Sequence, residues 1–198
     1  MHRNRWFYIF VSLTLLSCVA GCDLFSTRST EPPLDSGTPW IPPTQRDQLF
    51  ANMTIAFIEL NSDHYLRSFF GPDDQAGLFL FVPNPNTANW PVFETWGYEQ
   101  EKTTIEYLFT LISPDNPGFL MFNDAGDEVV YGDEDSVWVT KTYSLTVSLT
   151  EPNLNIPEAV EGTADFYLAK TDVGYWAIYR WEDLEGSPSW TELKAGLY

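Results

Sequence analysis

The chain has 198 residues, of which 44% are hydrophobic and 16% aromatic, so one substantial core and a single domain are expected. Lysine and arginine total 10 against 28 aspartate and glutamate residues, which gives a formal net charge of -18. A surface of that sign repels nucleic acid phosphates and anionic lipid headgroups, so no nucleic acid partner is expected. Cations, cationic peptides and neutral apolar ligands stay compatible with it.

Residues 1–21 have the layout of an export signal. Arg3 and Arg5 supply positive charge, residues 6–16 are uncharged and mostly apolar, and small residues then lead to Cys22. The apolar run is shorter than the roughly 20 residues that cross a bilayer, so a signal peptide is expected and not a membrane span. The alternative is an ordinary secretory signal with cleavage elsewhere and a free Cys22 thiol.

The sequence Val19-Ala20-Gly21-Cys22 resembles the lipobox of bacterial lipoproteins. The resemblance implies cleavage just before Cys22, a diacylglycerol on its thiol and an acyl group on its new amino terminus, which together anchor a protein stably in a lipid bilayer. Asp23 resembles the signal that retains lipoproteins at the inner membrane of enteric bacteria, but that rule differs between lineages. The expected location is the bacterial cell envelope, with the choice of membrane open.

Cysteine usage agrees with this interpretation. Only Cys18 and Cys22 are present, and the first leaves with the signal while the second becomes a thioether. The exported domain is therefore expected to have neither a disulfide nor a thiol, which excludes thiol catalysis and cysteine metal sites.

Residues 22–43 are rich in Ser, Thr, Pro and Gly and are predicted to form a lipidated tether. Such a segment spans at most about 70 Å when extended and roughly 25 Å as a flexible coil. The alternative is that Trp40 and Ile41 dock on the domain.

Residues 44–198 are predicted to form one α+β domain. Apolar residues at helical spacing predict a first helix from Thr44, as N-cap, to Leu60, and further helices are expected over residues 64–70 and 99–111. Strands are expected at residues 78–82, 119–122, 128–131, 137–149, 163–170, 174–182 and 190–194. Turns between successive strands favour antiparallel pairing, so two or three N-terminal helices should pack on one face of a curved antiparallel sheet.

The strand predicted from Val137 to Leu149 has the longest alternation of apolar and polar residues in the chain. Its valine and leucine face should pack on the helices, and its threonine face should meet solvent or a partner. Lys141 and Tyr143 interrupt the apolar face, so they are polar-tipped residues that should point into the interior. Trp138 begins the outer face.

A cluster of carboxylates follows the third predicted helix and suggests a calcium site. Its members are Asp124, Asp127, Glu128, Asp133, Glu134 and Asp135. Their spacing does not match the calcium-binding loop in which aspartates alternate before a glycine. A solvated acidic hairpin is therefore expected, and no metal site is predicted.

Four stretches together resemble bacterial lipoproteins of the nuclear transport factor two-like (SnoaL-like) superfamily, from Thr44 to the C-terminus. They are the helix over residues 44–60, Ser62-Asp63-x-Tyr65-Leu66, Trp176-x-Ile178-x-Arg180-Trp181-x-Asp183 and Ser189-Trp190-x-x-Leu193-Lys194. The resemblance implies a cone in which a bent sheet wraps the helices around a cavity open at one end, often dimerising through the outer sheet face. Some members are isomerases, dehydratases or cyclases that use an Asp, His or Tyr in the cavity, and many others are non-catalytic.

The candidate site residues are few. His64, Tyr143 and Asp165 are candidates for catalysis, and Tyr143, Lys141 and Arg180 for ligand binding. Each has a structural alternative: a surface or capping role for His64, core packing for Tyr143, a carboxylate partner for Lys141, and a cross-strand pair between Arg180 and Asp165. No nucleophile elbow, phosphate loop or dinucleotide fingerprint occurs, so no cofactor is predicted.

Three functions are compatible with these observations. The first is an anchored lipoprotein whose cone domain binds a small apolar ligand or a protein partner without catalysis. The second is a cone enzyme of isomerase or dehydratase type that uses a cavity His, Tyr or Asp. The third is a structural envelope or assembly module that forms a homodimer through its sheet.

Overall fold

The computed structural model describes residues 38–72, 74, 78–86, 91–126, 129–130, 135–151 and 156–198. The predicted signal peptide, Cys22 and the tether up to residue 37 lie outside these ranges. Within them, no helix combines the length and the apolar character that a membrane span needs.

Four α-helices lie in the described ranges: α1 (Arg46–Glu59), α2 (Ser62–Leu66), α3 (Tyr98–Leu111) and α4 (Trp190–Leu197). The predicted first helix is confirmed, because α1 buries the apolar residues that recur at helical spacing. Its N-cap is Gln45 and not Thr44, and Leu60 ends it in a left-handed conformation. The second helix begins earlier than expected, because the Asn61 side chain caps it by accepting the His64 N–H at 3.0 Å.

Six strands in the same ranges form one curved sheet. They are β1 (Leu80–Val82), β2 (Phe119–Asp124), β3 (Val129–Val130), β4 (Ser136–Thr146), β5 (Ala159–Lys170) and β6 (Trp176–Glu185). The order is β1-β6-β5-β4-β2, and β3 pairs with β4. The predicted α+β class is confirmed. All pairs are antiparallel as expected except that of β1, which runs parallel to β6 at one edge of the sheet.

The longest predicted strand is β4, and its orientation follows the alternation. Val137, Tyr143 and Leu145 are buried in the core, and Lys141 lies on the same inner face. The strand ends at Thr146, three residues before the predicted end.

Strand β6 contains an irregularity that reverses the expected orientation of Arg180. Leu168 pairs with Ile178, but the preceding residue of β5, Tyr167, pairs with Arg180, so Tyr179 is an extra residue in β6. One inserted residue moves every later side chain to the opposite face. Arg180 therefore does not share a face with Trp176 and Ile178, as strict alternation along the predicted strand 174–182 would require.

The last predicted strand, residues 190–194, is wrong: the segment is helix α4. The Glu192 side chain accepts a hydrogen bond from the Ser189 N–H and so satisfies a free donor before the first turn. Trp190 and Leu193 are both buried, and their separation of three places them on one helical face. The indole of Trp190 contacts Trp181 of β6 at 5.0 Å between ring centroids.

Residues 38–43 of the predicted tether lie against the domain, as the alternative for Trp40 and Ile41 predicted. The Trp40 ring lies 6.0 Å from the Tyr175 ring, and the Ile41 carbonyl accepts a hydrogen bond from Asn52 Nδ2 at 2.7 Å. The Pro43 carbonyl accepts the Trp176 N–H at 2.9 Å. These contacts fix the chain just before α1.

Candidate functional site

A pocket of about 610 Å³ lies between the first turn of α1 and the strands β4 and β6. We call it the α1 pocket. It is lined by Thr44, Gln45, Arg46, Asp47, Phe50, Asp124, Gly126, Val139, Thr140, Lys141, Lys170 and Trp176. Three of the 10 lysine and arginine residues of this acidic chain therefore meet at one pocket.

Lys141 is the most enclosed cation of the α1 pocket. Only 6% of the residue is exposed, because β4 directs its side chain inward and the Phe50 ring lies 4.5 Å from Nζ. Its ammonium bonds to Asp124 Oδ1 at 2.5 Å, but the Asp124 side chain is 81% exposed. A carboxylate so open to water is a weak and exchangeable partner.

Trp176 provides the aromatic surface of the same pocket. The Arg46 guanidinium lies 5.3 Å from its ring centroid, and the Lys170 ammonium lies 5.4 Å from it. Lys170 also pairs with Asp135 at 2.6 Å. The pocket thus combines positive charge with a buried indole.

The acidic cluster suggested by the sequence is only partly described. Asp124 and Asp135 belong to the described ranges and pair with Lys141 and Lys170, whereas Asp127, Glu128, Asp133 and Glu134 lie outside them. Within the described residues, no three His, Cys, Asp or Glu side chains are placed to hold a metal ion.

Tyr143 does not line the α1 pocket, although it lies two residues after Lys141 on the same strand. Its hydroxyl donates to Asp183 Oδ1 at 2.6 Å and accepts the Trp190 N–H at 3.0 Å. Asp183 Oδ2 in turn accepts from the N–H and the hydroxyl of Thr191. Burial, with the charge of Asp183, raises the pKa of Tyr143 well above its usual value. This buried network ties β4 and β6 to the start of α4.

The other sequence candidates lie on different elements, and each has its own partner. His64 Nδ1 lies 3.7 Å from Glu59 Oε2 beside the connection between α1 and α2. Asp165 lies on β5 and accepts the Thr140 hydroxyl at 2.6 Å. Arg180 pairs with Glu182, so the predicted pair with Asp165 is wrong. The partners of His64, Tyr143 and Asp165 are thus Glu59, Asp183 and Thr140.

Sequence reasoning missed a second buried network. Lys194 Nζ of α4 bonds to Glu101 Oε2 of α3 at 2.6 Å, and each side chain is 2% exposed. Glu101 also accepts from the Tyr65 hydroxyl at 2.8 Å and from Trp96 Nε1 at 2.9 Å. Two aromatic rings enclose the ammonium, Phe81 at 3.6 Å and Trp181 at 4.6 Å. Burial lowers the pKa of Lys194 to about 8.

No protein-family model and no curated protein matches this chain. Solved structures do. A nuclear transport factor two-like protein of unknown function from Shewanella oneidensis is similar at 12% identity and a TM-score of 0.50, over 70% of this chain and 95% of its own. A conserved protein from Planctomyces limnophilus is similar at 13% identity and a TM-score of 0.51, over 70% and 91%.

A provisionally named scytalone dehydratase from Novosphingobium aromaticivorans is similar at 14% identity and a TM-score of 0.51, over 71% of this chain and 82% of its own. Likenesses at such low identity establish the fold and not the activity. They agree with the curved sheet and the helices described above. The domain therefore has the nuclear transport factor two-like fold, which confirms the fold that the sequence resemblance implied.

Proposed function

We propose that this chain is a non-catalytic binding module whose α1 pocket takes a small ligand with an aromatic or apolar body and one anionic group. The observation that carries the proposal is Lys141, a cation enclosed within a pocket, whose carboxylate partner is almost fully exposed to water. An anionic ligand group could replace Asp124 at this ammonium without leaving a buried charge unpaired.

The rest of the pocket supports the apolar part of the ligand. Trp176 and Phe50 supply aromatic surface, and Arg46 and Lys170 add positive charge at the indole. A volume of about 610 Å³ falls in the range of small-molecule sites. Most of the lining is polar or charged, and Phe50, Val139 and Trp176 are its large apolar members.

Titration with a matched pair of probes tests the proposal. Indole-3-acetate carries the aromatic body and the anion, and indole-3-acetamide is its neutral analogue. The full-length protein should bind the acetate more tightly, and Lys141→Met should weaken that binding at least tenfold. Lys102→Met is the control, because Lys102 is exposed on α3. Equal binding of the two probes, or equal affinity in the two variants, would contradict the proposal.

The dehydratase-like alternative receives no support from the residues that suggested it. His64, Asp165 and Tyr143 contact Glu59, Thr140 and Asp183, and none of these contacts joins two of the three candidates. Mass analysis of a bound ligand before and after incubation distinguishes the two functions, because a chemically altered ligand would show catalysis.

We also propose that the domain is held at a membrane of the bacterial cell envelope by an acylated Cys22. The lipobox-like sequence that ends at Cys22 and the Pro-rich segment after it support this proposal.

A homodimer through the outer sheet face is the third part of the proposal. Trp138 and Tyr167 stack on that face with ring centroids 5.9 Å apart, and Tyr179 lies 6.1 Å from Tyr167. Such aromatic surface is enriched at interfaces. Light scattering should find a dimer that Trp138→Glu dissociates and that Tyr107→Glu, on the exposed side of α3, leaves intact. A monomeric parent protein would contradict it.

A further inference from the structure

We propose that the outward edge of β2 is a binding site for an extended cationic peptide, which would add to the sheet as a further strand. A second groove, of about 430 Å³, runs beside this strand. We call it the β2 groove. All six residues of Phe119–Asp124 line it on one side, and Asp47, Phe50, Ala51 and Thr54 of α1 line it on the other, with Lys141 between.

The backbone along this edge is available for pairing. β2 is the last strand of the sheet order, and no strand in the described ranges pairs with its outer side. The Ala125 N–H donates to the Thr140 carbonyl, so these two residues form a hydrogen-bonded pair at the end of the antiparallel ladder between β2 and β4. Because bonded pairs alternate, the N–H and C=O groups of Leu120, Phe122 and Asp124 point away from β4. Leu120 is 0% exposed, so the groups that are open to an added strand are those of Phe122 and Asp124.

The exposed side of β2 is partly apolar. Its sequence contains no proline and no lysine, and Phe119 and Met121 are 53% and 42% exposed. Natural sheets normally block such edges with charges, proline or a covering element. Here Asp124 is the one charged residue of the strand, and an edge of this kind beside a groove is the arrangement used by proteins that bind peptides by strand addition.

The helix wall of the groove leaves room for a strand. Ala51 is exposed and small, and Thr54 lies one turn further along α1. Side chains of an added strand would alternate between this wall and the outer face beside Phe119 and Met121.

The negative charge at the rim of the β2 groove favours a cationic ligand. The rim carries the exposed carboxylates of Asp47 and Asp124, and Asp124 uses only Oδ1 for Lys141. An antiparallel second copy paired about Phe122 would place Asp124 opposite Leu120, and it would bring together two chains that each have a net charge of -18. A peptide with basic side chains at alternate positions complements both the rim and the net charge.

Fluorescence anisotropy with defined peptides tests this site on the full-length protein in detergent. The probe is a capped, fluorescein-labelled hexapeptide of alternating lysine and valine. Two analogues are N-methylated, one on every lysine and one on every valine, and a third replaces lysine with glutamate. Ala51→Arg fills the groove, and Ile58→Arg is the matched control because Ile58 is exposed on α1 outside the groove.

The lysine peptide should bind, and at least one N-methylated analogue should bind at least tenfold more weakly, because methylation removes the donors that a ladder needs. Ala51→Arg should weaken binding at least tenfold and Ile58→Arg should not. Amide exchange of Phe122 and Asp124 should slow when the peptide is added. Ala51 does not line the α1 pocket, but the two sites share Asp47, Phe50, Asp124 and Lys141, so peptide binding and indole-3-acetate binding are measured separately for each variant.

Three results would overturn the inference. They are absence of peptide binding, equal binding of both N-methylated analogues and the unmodified peptide, and protection of the Phe122 and Asp124 amides by self-association without peptide. The last result would identify a second copy of the chain as the occupant.

Discussion

Lys194 and Glu101 form an ion pair inside the core, with Nζ and Oε2 2.6 Å apart and each side chain 2% exposed. The two residues are 93 positions apart in the sequence and belong to α4 and α3. A buried pair of this kind does not by itself make a fold more stable than an apolar pair would, because both charges lose their hydration. Removing either charge alone should therefore lower the free energy of unfolding, because the other charge stays buried without a partner.

Lys194→Met should therefore destabilise the protein by about 3–5 kcal/mol, because the Glu101 carboxylate is left buried without its cation. Adding Glu101→Gln should recover much of the loss, since a glutamine oxygen can still accept from Tyr65 or Trp96. Urea unfolding measures both variants. Lys102→Met, exposed on α3, is the control and should change stability by no more than about 0.5 kcal/mol. A Lys194→Met protein that is as stable as the Lys102→Met control would contradict the prediction.

The same lysine gives stability a pH dependence of defined sign. Burial lowers the pKa of Lys194 to about 8 from the ordinary 10.5. Between these values the unfolded chain binds more protons than the folded chain, so this group makes stability rise as the pH increases through that window. Lys194→Met should lack this rise, and the difference between the two proteins in urea unfolding at a series of pH values from 7 to 10 measures it.

Two buried tyrosines act in the opposite direction at higher pH. Burial raises the pKa of Tyr65 and of Tyr143 above the usual 10.0, with added contributions from the carboxylates of Glu101 and Asp183. Above pH 10 the unfolded tyrosines release protons that the folded ones keep, so stability should fall as the pH rises further. Unfolding that is equally cooperative and equally stable at pH 10 and 11.5 would contradict this assignment.

The elements that local pattern determines were predictable from the sequence. Helix α1 and strand β4 follow from apolar residues at spacings of three to four and of two, and Lys141 points inward as its strand position requires. Helix α4 carries a readable signal too, since Ser189 and Glu192 have the spacing of a capping box. The strand expected over residues 190–194 disagrees with this signal.

What depends on contacts between distant segments was not predictable. The bulge at Tyr179 turns Arg180 outward, and a single sequence offers no sign of one extra residue in a strand. Lys194 and Glu101 resemble ordinary surface residues of their helices, and only the packing of α3 against α4 makes them partners. The α1 pocket likewise brings Arg46 and Trp176 together across most of the domain.

Tyr143→Phe tests the network that replaces the predicted ligand role of this residue. The change removes a donor to Asp183 and an acceptor for the Trp190 N–H, which leaves a buried carboxylate and a buried amide short of partners. A loss of about 1–3 kcal/mol in unfolding free energy is expected. Tyr107→Phe, half exposed on α3, should be neutral. If Tyr143→Phe is equally neutral but weakens indole-3-acetate binding, the hydroxyl serves the ligand and not the fold.

Cys22→Ala tests the anchor. The resemblance to the lipobox implies that Cys22 carries the lipid, so the variant should leave the membrane fraction and lose incorporation of labelled palmitate. Cys18→Ala is the matched control, because Cys18 lies within the predicted signal and should be removed with it in either case. Fractionation of cell envelopes with mass analysis of the mature N-terminus measures both. A Cys22→Ala protein that still sediments with membranes would show that something other than this cysteine holds the domain there, and the proposal of a lipid anchor would then fail.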